Sequence, residues 1–204
     1  MYSVIIRKIK GEKYMKKDIK KFGTYVTIDS MDEINEVDLE WLCLDVDADG
    51  NALLLTKDCI YCDLYHNTSN TKEEVTWQNC DLKKWLNETF LSLSFSEEEQ
   101  DKLINRKDEN GKELGKVFLL SKEEVEKYIP DASDRKAKPT KTAKKDKDVY
   151  TQKGYCTWYL RDPSEMFEGN WTGVTPSGEL DLEGGDFKRS GDNGVRPAIY
   201  VKLS

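Results

Sequence analysis

The sequence predicts an α+β domain built on antiparallel strands, and three observations carry that reading. Runs near both ends of the chain alternate apolar with polar residues or gather β-branched ones, which is the strand signature. Between them the apolar period lengthens to helical spacing. The last third is aromatic and rich in glycine with no helical period, which predicts long irregular loops gathered on one face.

Taken in order, residues 1–20 are an N-terminal extension or a first strand, and residues 21–204 make a single domain. FGTYVTID, from Phe22, alternates and ends at Ser30-Met31-Asp32, so it reads as a strand. LEWLCLDV, Leu39 to Val46, is a more buried strand, and NALLLTK from Asn51 is a third. Between these two lies DVDADGN, whose Asp45, Asp47, Asp49 and Gly50 imitate the start of a calcium loop. The twelfth position, which needs a bidentate glutamate, is Thr56, and both flanks are strand-like. Asp49-Gly50 is therefore the turn of a β-hairpin, since glycine accepts positive φ without a Cβ clash; a weak surface calcium site near Asp45–Asp49 stays an open alternative.

Leu82, Trp85, Leu86 and Phe90 then recur on one helical face. Ser96 with Glu99 forms a capping box that opens a second helix, whose buried side holds Leu103 and Ile104. Asn110-Gly111 is a turn, and KVFLLS from Lys116 is a short buried strand. Ser121 with Glu124 repeats the capping box before Val125, Tyr128 and Ile129, and Pro130 ends that helix. Residues 131–149, dense in lysine and interrupted by proline, read as a flexible charged loop. GVRPAIYVKLS closes the chain as a strand, with Pro197 at an edge or at the strand's start.

Composition narrows the function. A formal charge of −7 opposes general affinity for nucleic acid, and the basic run Arg135–Lys145 lacks the interleaved aromatics of a single-strand site, so it reads as a solvated loop. No run approaches the ~20 apolar residues of a membrane helix, and the N-terminus lacks a leader's apolar stretch, so a cytoplasmic location is expected. The five cysteines are an odd number and fit reduced thiols. Cys59 and Cys62 in CIYC, with His66 and Cys80, could supply four zinc ligands, but their apolar surroundings favour small buried side chains. His66 is the sole histidine and sits in a polar run, where a solvated role is expected; no Ser-His or Cys-His pair stands out.

The blocks LEWLCLD, TWQNCDLKKWLNETF, FSEEEQDKL, KVFLLSKEEVEKY, WYLRDP and GVRPAIYV occur in one order between Phe22 and Leu203. Together they resemble a bacterial family of uncharacterised domains, of the kind common in gut Firmicutes, which looks like a member of the C-type-lectin-like, formylglycine-generating-enzyme-like superfamily. The resemblance implies a single α+β domain in which N- and C-terminal strands meet, with a few short helices and long irregular C-terminal loops that bind ligands. Formylglycine-generating enzymes hold copper on paired cysteines near the C-terminus, whereas Cys156 is the only cysteine after Cys80. The resemblance therefore implies no oxidase activity and no cofactor.

The expected ligand loop is 164–193, and its candidates are Phe167, Asn170, Trp171, Phe187 and Arg189. Trp171 lies among Gly169, Asn170, Thr172 and Gly173 with no apolar period to bury it, and aromatic residues on adaptable loops suit recognition. Trp41, Trp77, Trp85 and Trp158 read as core, with Trp158 the nearest to the loop face. Arg161 and Arg196 are expected to pair with a carboxylate or bond backbone carbonyls. The resulting expectation is a non-enzymatic domain that recognises a protein or carbohydrate. An enzyme using a carboxylate or thiol, such as Glu168 or Cys156, and a structural or assembly module are the alternatives.

Overall fold

The computed structural model describes residues 20–28, 34–62, 65–66, 75–146, 149–186 and 192–203. The expected extension or first strand over 1–20 thus lies outside the described residues apart from Lys20, where β1 (Lys20–Ile28) begins. β1 pairs antiparallel with β2 (Ile34–Val46), and β2 with β3 (Asn51–Thr56). β2 starts at Ile34 rather than Leu39 because its first half is held by the backbone ladder to β1, Ile28 opposite Ile34 and Val26 opposite Glu36. The acidic turn joins β2 to β3 as a hairpin. Gly50 has φ +82°, and Asp47 Oδ1 accepts the N–H groups of Asp49 and Asn51 at 2.9 and 2.8 Å. A hydrogen bond from the Tyr200 hydroxyl, with those from Asn51, holds the Asp47 carboxyl down at about 2.

After the short strand β4 (Tyr61–Cys62), the expected amphipathic helix opens at α1 (Asp81–Trp85), where Cys80 Sγ accepts the Lys83 N–H. It continues through a π-helical turn, Leu86–Phe90, into α2 (Leu91–Ser94). Leu82, Leu86 and Phe90 are buried as their spacing requires, while Trp85 is half-buried and stacks on Tyr61 at 4.7 Å. α3 (Glu97–Lys102) carries its capping box; β5 (Arg106–Lys107) and β6 (Glu113–Gly115) form a small ribbon. β7 (Val117–Phe118) leads to α4 (Lys122–Tyr128), whose capping box is also complete.

Residues 131–149 differ from the loop expected there: they carry α5 (Ala132–Arg135) and α6 (Lys141–Asp146). Arg135 is buried because its guanidinium donates to the carbonyls of Ile129 at 2.7 Å and Pro130 at 2.9 Å, and Ala137 and Ala143 are small enough to pack inward. The surrounding lysines hide these inward positions from a composition argument.

The chain then forms β8 (Trp158–Pro163), β9 (Asn170–Val174), β10 (Leu180–Asp186), β11 (Gly194–Val195) and β12 (Ala198–Lys202). One sheet has the order β1-β2-β3-β12-β7 and the other β10-β9-β8-β11-β4. β12 is an inner strand, and Pro197 sits at its start, where a missing N–H costs no ladder bond. Much of 164–193, expected as irregular loop, is therefore the β9–β10 hairpin. Its glycines mask the strand period, and a register shift between Asp181 and Gly185 breaks the alternation further.

The molecule is a mixed α+β domain, mostly strands with a few short helices, and Trp41, Trp158, Phe90 and Phe118 are buried in its core. Arg196 ties the sheets together. Its buried guanidinium donates to the carbonyls of Thr56, Arg135 and Lys57 at 2.9, 3.0 and 3.1 Å and lies 4.9 Å from the Trp158 ring centre. Among the described residues no helix is long and apolar enough to cross a membrane.

Candidate functional site

The β8–β9–β10 end of the second sheet holds a cleft of about 230 Å³. Tyr159 comes from β8, Trp171, Thr172 and Gly173 from β9, and Asp181, Gly184 and Gly185 from β10; Tyr150, Thr157, Asp192 and Asn193 complete the lining. The volume is below the roughly 300–1,000 Å³ of drug-sized sites, so it suits one side chain or one sugar ring. Asp181 Oδ1 is engaged by the Gly184 N–H at 2.9 Å, and Thr172 Oγ1 donates to the Asp162 carbonyl at 2.9 Å, so part of the polar lining is already committed to holding the strands. A broader hollow of about 480 Å³ lies between Gly23, Asp38 and the α2–α3 junction, away from the predicted loop face.

Trp171 is in the wall of the cleft but is only 2 % exposed, which corrects the expectation of an unburied loop aromatic. It is a strand residue, paired through β9 with both neighbours, and its ring stacks on Tyr65 with centroids 3.7 Å apart. Among the described residues its buried indole N–H has no acceptor. A donor left so is uncommon and destabilising unless something outside the chain supplies an oxygen.

The other candidates separate. Asn170 lends its amide to the backbone, donating to the Glu183 and Gly184 carbonyls at 3.1 Å each, so it shapes the hairpin. Phe167 is exposed, as are Met166 and Leu182. These lie together, because Ser164 Oγ accepts the N–H groups of Met166 and Phe167 and donates to the Leu182 carbonyl at 2.7 Å. Phe187 and Arg189 lie outside the described residues. Trp158 is fully buried under Arg196 and does not line the cleft, although its neighbours Thr157 and Tyr159 do.

His66 is buried, against the solvated role expected: Nδ1 accepts the Asp81 N–H at 3.2 Å and lies 3.1 Å from its carboxylate. Arg161 behaves as expected, donating to the Leu119 carbonyl at 3.0 Å and to Glu124. Arg106 meets the other oxygen of Glu124 at 2.6 Å. Burial opposes ionisation of Glu124, yet the two guanidiniums hold its carboxyl below the ordinary value. Nearby, burial pushes the Asp162 carboxyl up, opposed by the Lys122 N–H at 2.5 Å. These groups brace α4 against β8 and do not line the cleft.

Sequence separation also hid a thiol pair. Cys156 has no cysteine near it in the last part of the chain, but the fold sets Cys59 beside it, sulfur to sulfur at 3.4 Å. Glu168 is exposed, and neither it nor Cys156 reaches the cleft lining. None of the five cysteines is in a disulfide, and among the described residues no three Cys, His, Asp or Glu side chains gather closely enough to hold a metal ion.

Among curated proteins no match is found, and among solved structures none is found either. The family described as Domain of unknown function (DUF6273) matches residues 49–203, from the Asp49-Gly50 turn through β12, and by that match over most of its length the chain belongs to this family.

Proposed function

We propose that the domain is a binding module whose ligand enters the β8–β9–β10 cleft, and that the ligand is a segment of a protein. The observation that carries the reading is the buried N–H of Trp171, a residue of the cleft wall: among the described residues it has no acceptor, and a ligand carbonyl would satisfy it once the wall shifts to admit one. The exposed Met166 and Phe167, tied through Ser164 to the exposed Leu182 of β10, supply apolar contact area of the kind that favours a polypeptide over a sugar. The fold we take to be C-type-lectin-like, in the formylglycine-generating-enzyme-like branch. In support, the sequence blocks that resemble that superfamily run in its order from Leu39 to Val201; against the expected meeting of N- and C-terminal strands, β12 lies beside β3 and β7 and not beside β1.

The test is a peptide-display selection and a glycan array, both on the full chain, with calorimetry on any hit. Trp171→Phe keeps the ring stacked on Tyr65 but deletes the N–H, and is expected to weaken the peptide about tenfold. Phe167→Ser is expected to weaken it as well. Hits confined to glycans would replace the protein ligand with a sugar, and peptide binding untouched by both variants would remove the cleft from the reading.

A further inference from the structure

Outside the cleft, the thiol pair of Cys59 and Cys156 is the cluster with chemistry still unassigned. Both residues are fully buried, and the Cys156 thiol donates to Cys59 Sγ at 3.4 Å across 97 positions of sequence. The space they occupy exists because residue 194 has no side chain: a Cβ on Gly194 would stand 2.6 Å from Cys59 Sγ and 3.1 Å from Cys156 Sγ. A disulfide requires sulfurs at about 2.05 Å, so the pair must close by roughly 1.4 Å, a distance within reach of side-chain rotation.

A strap covers the pair. The Cys59 N–H donates to the Lys138 carbonyl and the Thr140 N–H to the Cys59 carbonyl, both at 2.9 Å, while the Cys156 N–H donates to the Ala137 carbonyl at 3.0 Å. Residues 137–140 are thus pinned between the two cysteines by isolated bridges, Cys59 with Pro139 and Ala137 with Cys156. Pairing of this extent opens locally at a lower cost than the ladders of the five-stranded sheets.

We propose that Cys59 and Cys156 are a disulfide-forming site, with the 137–140 strap as its cover and a small-molecule disulfide of the glutathione class as its oxidant. When the strap opens, one cysteine thiolate attacks the oxidant, forming a mixed disulfide and releasing one thiolate. The second cysteine thiolate attacks the protein sulfur of that mixed disulfide and expels the other. Two electrons pass from the cysteines to the oxidant, and the two protons the cysteines give up end on the two released thiols. The new bond joins the β3–β4 connection to the residue two before β8. With the strap closed, burial pushes the Cys59 thiol up and disfavours its thiolate, so it is a poor nucleophile until the cover lifts.

The test uses the full chain, reduced and then equilibrated with excess oxidised glutathione, denatured and alkylated. Alkylated cysteines are expected to fall from five to three, five less the bonded two. A non-reducing digest should yield one peptide joining Cys59 to Cys156, and Tm should rise by roughly 5–15 °C and return with reductant. Cys156→Ala should abolish the oxidant-dependent rise. Five alkylated cysteines after oxidation, a bond through Cys43, Cys62 or Cys80, or a Cys59–Cys156 bond that lowers Tm would overturn the proposal. These are read on the unmodified chain, so a poorly folding variant does not blunt the test.

Discussion

Glu124 shows how one side chain can serve two layers of the structure. It completes the capping box of α4, accepting the Ser121 N–H at 3.0 Å, and it receives Arg106 and Arg161 on its two oxygens. With only 11 % of its side chain exposed, removing the charge strands two guanidiniums that cannot shed theirs. Glu124→Gln is expected to cost about 3 kcal/mol in urea denaturation, toward the lower end for a buried network because Arg106 keeps partial solvent contact. The pH dependence follows from the depressed carboxyl. Its stabilisation is fully present above the ordinary value of 4.5 and is lost as pH falls through the lower folded value, because the unfolded chain then binds the proton more readily. Denaturation midpoints measured between about pH 6 and 3 should decline for the native chain, and Glu124→Gln should flatten part of that decline.

At the scale of elements, the two capping boxes are the same local device in different surroundings. Ser96 caps α3 at the surface, where its Oγ accepts the Glu99 N–H at 3.3 Å. Ser121 caps α4 while buried, and its partner Glu124 is also the centre of the ion network. Ser96→Ala should therefore cost about 1 kcal/mol, the usual value of a cap. Ser121→Ala should cost closer to 2 kcal/mol, because loss of the cap also loosens the carboxylate that both arginines need. Chemical denaturation of the two single variants side by side checks the order, and equal losses would mean that Glu124 is held by the arginines alone.

For the whole molecule the decisive strand is the last one. β12 lies between β3 and β7, with Leu53 opposite Tyr200 and Phe118 opposite Ala198, so it closes the first sheet only after nearly the entire chain is in place. Ending the chain after Arg196 would leave β3 and β7 with open edges and remove the buried Ile199 and Val201. Such a truncation is expected to lose cooperative unfolding altogether, as read by circular dichroism on heating and by the collapse of amide dispersion in NMR. A truncated chain that still melts cooperatively would show that the second sheet folds by itself.

Both capping boxes, the Asp49-Gly50 hairpin, the apolar face Leu82–Leu86–Phe90 and the strands around Trp41 and Leu54 were legible in the sequence, as was kinship with a family of uncharacterised domains. Each of these structural signals acts over a few residues, where side-chain spacing and backbone preference are the whole cause. The tertiary structure alone decided that Trp171 is buried, that His66 is covered by α1, that Cys59 meets Cys156, and that a lysine-rich segment hides Arg135 and Ala137. Trp171 meets Tyr65 and Cys59 meets Cys156 from far along the chain, while His66 and Arg135 are held by nearer partners, Asp81 and the Ile129 and Pro130 carbonyls; in each case the outcome depends on which surfaces close together, and no local period records that.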